Sequence, residues 1–348
     1  MQINEKVSLK ELTTFKVGGN ARFFCLVENM TEFGEANDFA RKNNLPVLIL
    51  GGGSNLLVGD SGFDGLVIKM NFLGLNFCEG DETVEVVAKA GENWDRFVAT
   101  TVERNLSGLE NLSGIPGTVG ATPVQNVGAY GVEVKDLING VEAVNLETGE
   151  IKRFSNEECQ FDYRSSFFKT APGKKFVIVA VSYILSTKFQ PNISYNDLAV
   201  YFSMRQPQNA SEVRDVVLAI RASKFPDLNK IGTAGSFFKN PIITKEKFDE
   251  LKHKYPDLPG FPVELPSGLS TINHKLPTIK LSLAWILDKI CQLRGFRHRS
   301  IGLFENQPLV LVNYGGAGSK EIKKFSKLIK EKVFRATGIV IEEEVQFV

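Results

Sequence analysis

Residues 22–58, RFFCLVENMTEFGEANDFARKNNLPVLILGGGSNLLV, decide the fold class. RFFCLVEN (22–29) reads as a strand. TEFGEANDFARKNN (31–44) reads as a helix with Thr31 as N-cap, because Phe33, Ala36, Phe39 and Ala40 fall on one face. PVLIL (46–50) is a short buried strand, GGGSNLLV breaks it, and GLVIKM (65–70) is the next strand. Strand, helix, strand, turn, strand is the order of an α/β unit.

Working outward, TVEVVAKAG (83–91), VEAVNLETGEIKRF (141–154) and KKFVIVAVSYIL (175–186) read as strands, the second folded at Thr148-Gly149 into a hairpin. WDRFVATTVERN (94–105) and EVRDVVLAIRASK (212–224) read as helices. KFPDLNKIGTAG (224–235) loses apolar periodicity and reads as a boundary. Beyond it come a Pro-rich loop, YPDLPGFPVELPSG (255–268), and an amphipathic helix, LSLAWILDKICQLRG (281–295), stopped by Gly295. A buried strand, PLVLVN (308–313), leads to a helix at 319–338 with Ile322, Phe325, Leu328, Ile329 and Val333 on one face. IVIEEEVQFV (339–348) reads as a closing strand on which Glu343 faces away from Glu342 and Glu344.

The chain has 348 residues, enough for two or three domains at roughly 100–200 residues each. With 43% hydrophobic and 23% charged residues it is not disordered, coiled-coil or collagenous. Its 41 basic and 40 acidic residues leave a formal charge of +1, without the global basic field of a nucleic-acid binder. The start, MQINEKVSLKELTTF, has no signal-peptide core, and no apolar run approaches the ~18–20 residues of a membrane span. Cys25, Cys78, Cys159 and Cys291 form no CxxC pair, so they read as buried thiols of a reduced, cytosolic protein. His253, His274 and His298 have no zinc spacing.

Five segments carry chemistry. In LILGGGSNLLV (48–58), glycines after a strand let backbone N–H groups approach a phosphate, and Ser54 and Asn55 add donors. Leu56 stands where GxGxxG needs its third glycine, and GxxxxGK[ST] is unmatched, so a tight turn between strands is the competing reading. SGIPGTVGATPVQNVGAYG (113–131) holds Gly114, Gly117, Gly120, Gly128 and Gly131 among interleaved apolar residues, a packed segment with close backbone approach. In QFDYRSSFFK (160–169), Arg164 lies in an aromatic wall, where a guanidinium wants a carboxylate or phosphate; an ordinary surface arginine is the alternative. GTAGSFFKNP (232–241) places Ser236 before two phenylalanines, without GxSxG but free to relay a proton. Taken by itself, the closing EEEV reads as a solvated acidic edge strand.

TTFKVGG, GGGSNLLV, SGIPGTVG with QNVGAYG, FDYRSSFFK, GTAGSFFKNP and EEEV, in this order, resemble the UDP-N-acetylenolpyruvoylglucosamine reductases (MurB), flavin enzymes of bacterial peptidoglycan synthesis. The resemblance runs from Thr13 to Val348. ISYNDL (193–198) and CQLRG (291–295) resemble the tyrosine loop and glutamine segment of the longer subtype.

The resemblance implies an α+β chain with the FAD-binding fold of the vanillyl-alcohol-oxidase (PCMH) type. Residues 1–70, joined by strand 339–348, and 71–224 would be two α/β subdomains holding FAD, and 225–338 a C-terminal substrate domain. The implied FAD contacts are Gly51, Gly52, Gly53, Ser54, Asn55 and Leu56; Ser113, Gly114, Ile115, Pro116, Gly117, Gly120 and Ala121; Gln125, Asn126, Gly128, Ala129 and Gly131; and Ile178. Tyr130, Tyr163, Tyr195, Arg221, Lys224, Asn240 and Gln292 would hold the nucleotide-sugar or NADPH. Arg164 and Glu344 would stabilise charge on an enolpyruvyl carboxylate, and Ser236 would protonate the adjacent carbon. The substrate implied is UDP-N-acetylglucosamine enolpyruvate, the reductant NADPH, the setting a cytoplasmic monomer without metal, membrane or nucleic acid. Two positions depart from the family: Gln346 replaces the usual arginine, and Phe261 stands where a substrate tyrosine is common. The rivals are a sugar or alcohol oxidase of the same fold and a non-catalytic nucleotide-sugar or flavin binder. Residues 1–224 contain no histidine for a flavin tether, which weighs against the first; Ser236 and Glu344 beside Arg164 weigh against the second.

Overall fold

The computed structural model describes residues 1–263 and 277–348. His274 and the end of the Pro-rich loop, 264–268, lie outside the described residues. The chain divides into two compact units: Met1–Ser8, Asn20–Ser54 and Gly62–Ser223 form unit 1, and Leu9–Gly19, Asn55–Ser61 and Lys224–Val348 form unit 2.

Unit 1 holds two sheets. β1 (Asn4–Ser8), β2 (Asn20–Val27), α1 (Met30–Lys42), β3 (Val47–Leu50) and β4 (Phe63–Met70) give a sheet of order β1-β2-β4-β3. β2 and β3 both run parallel to β4, as a strand–helix–strand sequence dictates, and β1 is antiparallel to β2. Asn29, not Thr31, caps α1, its side chain accepting from Glu32 N at 3.0 Å. The second sheet is antiparallel: β5 (Leu75–Glu79), β6 (Thr83–Lys89), then, after α2 (Trp94–Glu103), β7 (Ile138–Asn145), β8 (Ile151–Ser155) and β9 (Phe176–Ser186), ordered β8-β7-β9-β6-β5. Val86, Phe97, Val141, Val181 and fully buried Trp94 and Tyr183 fill its core. α3 (Asn196–Tyr201) and α4 (Ala210–Lys224) bury Leu198, Phe202, Val213 and Val217 against Tyr130.

In unit 2, β10 (Gly232–Ser236) begins a four-stranded antiparallel sheet. A three-stranded sheet follows: β11 (Ile242–Thr244), then, after α5 (Lys245–Lys254), β12 (Gly260–Val263) and β13 (Thr278–Leu281). β14 (Ile301–Leu303) and β15 (Val310–Asn313) return to the first sheet, and α6 (Ser319–Thr337) packs Ile322, Phe325, Ile329 and Val333 into the core. Gly338, at φ +71, ends α6 in the left-handed conformation that favours glycine.

Three further expectations change. The helix expected over 281–295 is a short helix, Leu283–Trp285, running into a π turn at Ile286–Ile290, with Leu293 N bonding back to Leu287 O at 2.8 Å. The closing strand contracts to a bridge at Glu343 and a two-residue strand, Gln346–Phe347, parallel to Leu56–Leu57. Both of these segments belong to unit 2. Cys78 is exposed because it lies on β5, an edge strand; Cys25 and Cys159 are buried, which pushes their thiols up to about 11 and about 12, and Cys291 is half-buried.

Candidate functional site

In unit 1 the two glycine segments meet backbone to backbone. A Cβ on Gly52 would stand 2.6 Å from Gly117 Cα, and one on Gly51 2.6 Å from Thr118 Oγ1. Ser54 Oγ donates to Pro116 O at 2.8 Å, and Lys69 Nζ donates to Gly51 O. α2 anchors the second segment: Trp94 N donates to Gly117 O at 3.1 Å and its indole N–H to Leu112 O at 2.9 Å. Two apposed loops whose glycines carry no Cβ at the point of approach, rich in peptide N–H and hydroxyl groups, have the donor chemistry a dinucleotide diphosphate needs, so Gly51–Ser54 and Ser113–Gly117 fit FAD. Ile178 is buried in the sheet core of this unit, and Ala121 is exposed.

A second cluster surrounds Arg164. Asp162 and Ser165 exchange backbone hydrogen bonds at 3.0 and 3.1 Å, which puts Tyr163 and Arg164 at the tip of a tight turn. The Arg164 guanidinium donates to Gly128 O at 2.7 Å and Asn126 O at 3.4 Å. Asn126, fully buried, ties the turn down: its amide donates to Glu133 Oε2 at 2.8 Å and Asp162 O at 3.1 Å.

The third cluster gathers Tyr130, Tyr195 and Arg221. Gly128–Ala129 and Val132–Glu133 pair antiparallel, leaving Tyr130 (φ +49) and Gly131 (φ +85) as the two-residue turn. Tyr130 and Tyr195 meet edge to face, centroids 5.2 Å apart. Burial pushes the Tyr130 phenol up to about 12 and, as the largest influence on Arg221, pulls its guanidinium below its usual value. Tyr195 ends an irregular segment as the N-cap residue of α3, and that segment is held where Asn111 Nδ2 donates to Asn192 O at 2.7 Å and to Tyr130 O at 2.8 Å.

Sequence reasoning missed Asp95. Its carboxylate accepts from both Arg214 nitrogens, at 2.6 and 3.0 Å, and from Gly114 N at 2.6 Å, while Arg221 Nε donates to Gly114 O at 3.0 Å. No local signal marks it, because Arg214 lies 119 residues away. Burial pushes the Asp95 carboxyl up, but the Arg214 fork, the Gly114 amide and Arg221 outweigh it and hold the group below its usual value. A depressed carboxyl contributes stability above its unfolded pKa of about 3.9 and loses it as pH falls through the lower folded value. Asp95→Asn is therefore expected to cost about 1 kcal/mol at pH 7, the hydrogen-bond value discounted for solvent screening. The difference should vanish in acid, well below pH 4; denaturant unfolding at both pH values checks this, and a difference unchanged in acid contradicts it.

In unit 2, Ser236 ends β10 beside an irregularity in its pairing with β15, between Thr233 and Ser236, where Gly235 adopts φ +75. Such bulges re-aim the side chain that follows. Phe237 and Phe238 are buried, their rings 5.1 Å apart. Phe238 bridges Glu343, and Glu344 N donates to Phe237 O at 2.8 Å, so the segment that follows Ser236 runs beside the one that carries Glu344. Asn55 Nδ2 donates to Glu344 O at 3.2 Å, and Leu56 pairs with Gln346. Asn240 Oδ1 accepts from Leu283 N at 3.0 Å, whereas Gln292 (φ +54) is exposed beyond the other end of the same helical segment. Lys224 is half-buried at the start of unit 2, and Phe261 is exposed on β12.

Asn126, Tyr130, Arg164 and Gln292 are four of ten non-glycine residues with positive φ among the described residues. Such backbone persists only where its surroundings over-determine it, and it concentrates at functional sites.

Residues 21–155 match the FAD binding domain family, and residues 226–348 match the family described as UDP-N-acetylenolpyruvoylglucosamine reductase, C-terminal domain. The chain is 39% identical to the UDP-N-acetylenolpyruvoylglucosamine reductase of Neisseria gonorrhoeae, over 98% of this chain and 96% of that one. It is 40% identical to the protein of the same name in Bdellovibrio bacteriovorus, over 99% of each chain. Among solved structures, the Thermus caldophilus reductase superposes with a TM-score of 0.68 at 24% identity, covering 100% of this chain and 99% of that one. The 6-hydroxy-D-nicotine oxidase of Arthrobacter nicotinovorans gives 0.54 at 12% identity, covering 97% and 86%. The α+β FAD-binding fold of the vanillyl-alcohol-oxidase type is thus the fold of this chain. With two relatives similar over its whole length and the family's own C-terminal domain matched, the chain belongs to the UDP-N-acetylenolpyruvoylglucosamine reductase family.

Proposed function

We propose that this protein reduces UDP-N-acetylglucosamine enolpyruvate to UDP-N-acetylmuramate, with FAD as resident cofactor and NADPH as reductant, as a cytoplasmic monomer. Among the described residues no helix is long and apolar enough to cross a membrane. Residues 1–70 and 71–224 are assigned to FAD and 225–338 to the substrate, with 339–348 completing the first.

FAD, when bound, supplies hydride to the enolpyruvyl double bond. The chain's residues supply the rest. Hydride on the terminal carbon leaves negative charge on the neighbouring carbon and its carboxylate, so the site needs donors and positive charge where that charge develops. Arg164 provides a guanidinium held by Gly128 O and Asn126 O, and Glu344, as the acid, a hydrogen bond. Ser236 places the proton that completes the lactyl ether; a weak acid suffices because a carbanion beside a carboxylate is strongly basic. Tyr130, Tyr163, Tyr195, Arg221, Lys224, Asn240 and Gln292 are assigned to the nucleotide-sugar and NADPH.

The observation that supports the reading is the Phe238–Glu343 bridge, by which the segment after Ser236, with its two buried phenylalanines, pairs with the acidic segment that holds Glu344. Purified protein is expected to be yellow and to release all its flavin on acid precipitation. It should bleach anaerobically with NADPH and regain colour on addition of the enolpyruvyl substrate. Flavin retained in the pellet would contradict the non-covalent site; bleaching by a simple sugar, with colour regained in oxygen alone, would favour an oxidase.

A further inference from the structure

We infer that Glu343 is the positioning residue for Glu344, the device that fixes the proposed acid on its strand. The inference rests on the assignment of Glu344 made above.

Residues 342–344 are held by little backbone pairing. Lys239 N donates to Glu342 O at 3.0 Å, Glu344 N donates to Phe237 O at 2.8 Å, and the ladder is a single bridge. These two bonds, with the Asn55 amide on Glu344 O at 3.2 Å, hold the main chain but do not by themselves fix its twist. The Glu343 side chain removes that freedom. Its Oε1 accepts from Ser326 Oγ at 2.8 Å and its Oε2 from Lys330 Nζ at 2.9 Å. Ser326 and Lys330 are four residues apart on α6 and therefore stand on one helical face. With a different helical residue on each oxygen, the carboxylate cannot rotate without breaking a bond.

The helix that carries these partners is well seated. Ile322, Ile329 and Val333 are fully buried, and at its N-terminus Asp60 accepts from Ser319 N at 2.6 Å and Lys320 N at 3.2 Å. Glu342, by contrast, is exposed and pairs with Lys239 at 3.1 Å. Extended backbone alternates, so anchoring Glu343 on α6 commits Glu344 to the opposite face of the segment.

Energetics favour a geometric role. The Glu343–Lys330 pair is mostly buried on the glutamate side, so the cost of taking charge from water offsets much of its attraction. An apolar residue at 343 would serve packing as well. What it could not do is set the angle at which the next residue leaves the strand.

The test uses the FAD-loaded enzyme and follows the two half-reactions separately by stopped flow. In Glu343→Ala, substrate reduction is expected to slow about 10- to 100-fold, the scale of a small misplacement of a catalytic group. Flavin reduction by NADPH and the substrate KM should stay within about twofold, because neither uses the acid. Glu343→Gln should lie between Ala and wild type, since its amide oxygen still accepts from Ser326. If Glu343→Ala does not fold, Glu343→Gln and Ser326→Ala decide the matter by the same readouts. Equal slowing of both half-reactions, or full rates in both, would overturn the positioning role. Glu344→Gln serves as reference: if it too runs at full rate, the assignment of Glu344 falls and the positioning role with it. If Glu344→Gln is slow and Glu343→Ala is not, only the positioning role fails.

Discussion

Ser236→Ala is expected to slow reduction of the enolpyruvyl substrate by about 10²–10⁴-fold, while flavin reduction by NADPH changes by no more than a few-fold. Only the substrate half-reaction places a proton on carbon. Ser236 is suited to that task by its backbone. The irregularity between Thr233 and Ser236 and the left-handed Gly235 set it apart from the regular ladder, and Thr233 Oγ1, bonded to Leu311 O at 2.8 Å, holds the strand just before it. Buried Phe237 and Phe238 follow at once, so the hydroxyl has little freedom to shift along the strand. Removing one oxygen atom from a half-buried position leaves the packing intact, and the thermal midpoint should move by less than about 2 °C. Stopped-flow measurement of both half-reactions decides the outcome: equal slowing would make Ser236 a structural residue.

Gly52→Ala is expected to abolish retention of FAD through purification and to lower stability by about 1–3 kcal/mol, the cost of an overpacked contact. The added Cβ would lie 2.6 Å from Gly117 Cα and 3.1 Å from Gly117 C, and backbone cannot turn aside as a side chain can. The two glycine loops must then separate, and a cradle built from both loses its geometry. At Gly51 the nearest atom is the Thr118 hydroxyl, so Gly51→Ala should be the milder change. Gly34→Ala supplies the control: it lies within α1 with nothing within 4 Å of its Cβ, and should stabilise by up to about 1 kcal/mol with flavin content unchanged. Flavin-to-protein ratio and thermal unfolding of the three variants test the argument. A Gly52→Ala protein that keeps its flavin would remove the close approach of the loops from the account of the site.

Much of the chain was readable from local pattern. The helices at 30–42, 94–103, 210–224 and 319–337 follow from apolar spacing of three and four residues, and β2, β3, β4 and β9 from short apolar runs closed by glycine or polar residues. The glycine loops, the Ser236 segment and the EEEV ending were legible because each is contiguous. Boundaries moved where capping chemistry outranked periodicity, as at Asn29 in place of Thr31. β1, β5, α3, α5 and β10–β14 went unread, being short, or polar like α5.

The tertiary structure alone decided the rest. Asp95 joins the Gly114 turn to Arg214, and Asn111 holds Tyr130 O, 19 residues away, together with Asn192 O, 81 residues away. The left-handed backbone of Tyr130, Arg164 and Gln292 opposes their intrinsic preference, so no propensity could announce it. Periodicity reports which face of an element is apolar, because that depends only on neighbours three or four residues away. A hydrogen bond between side chains a hundred residues apart depends on the whole path of the chain between them, and strain in a turn depends on every contact that resists its release.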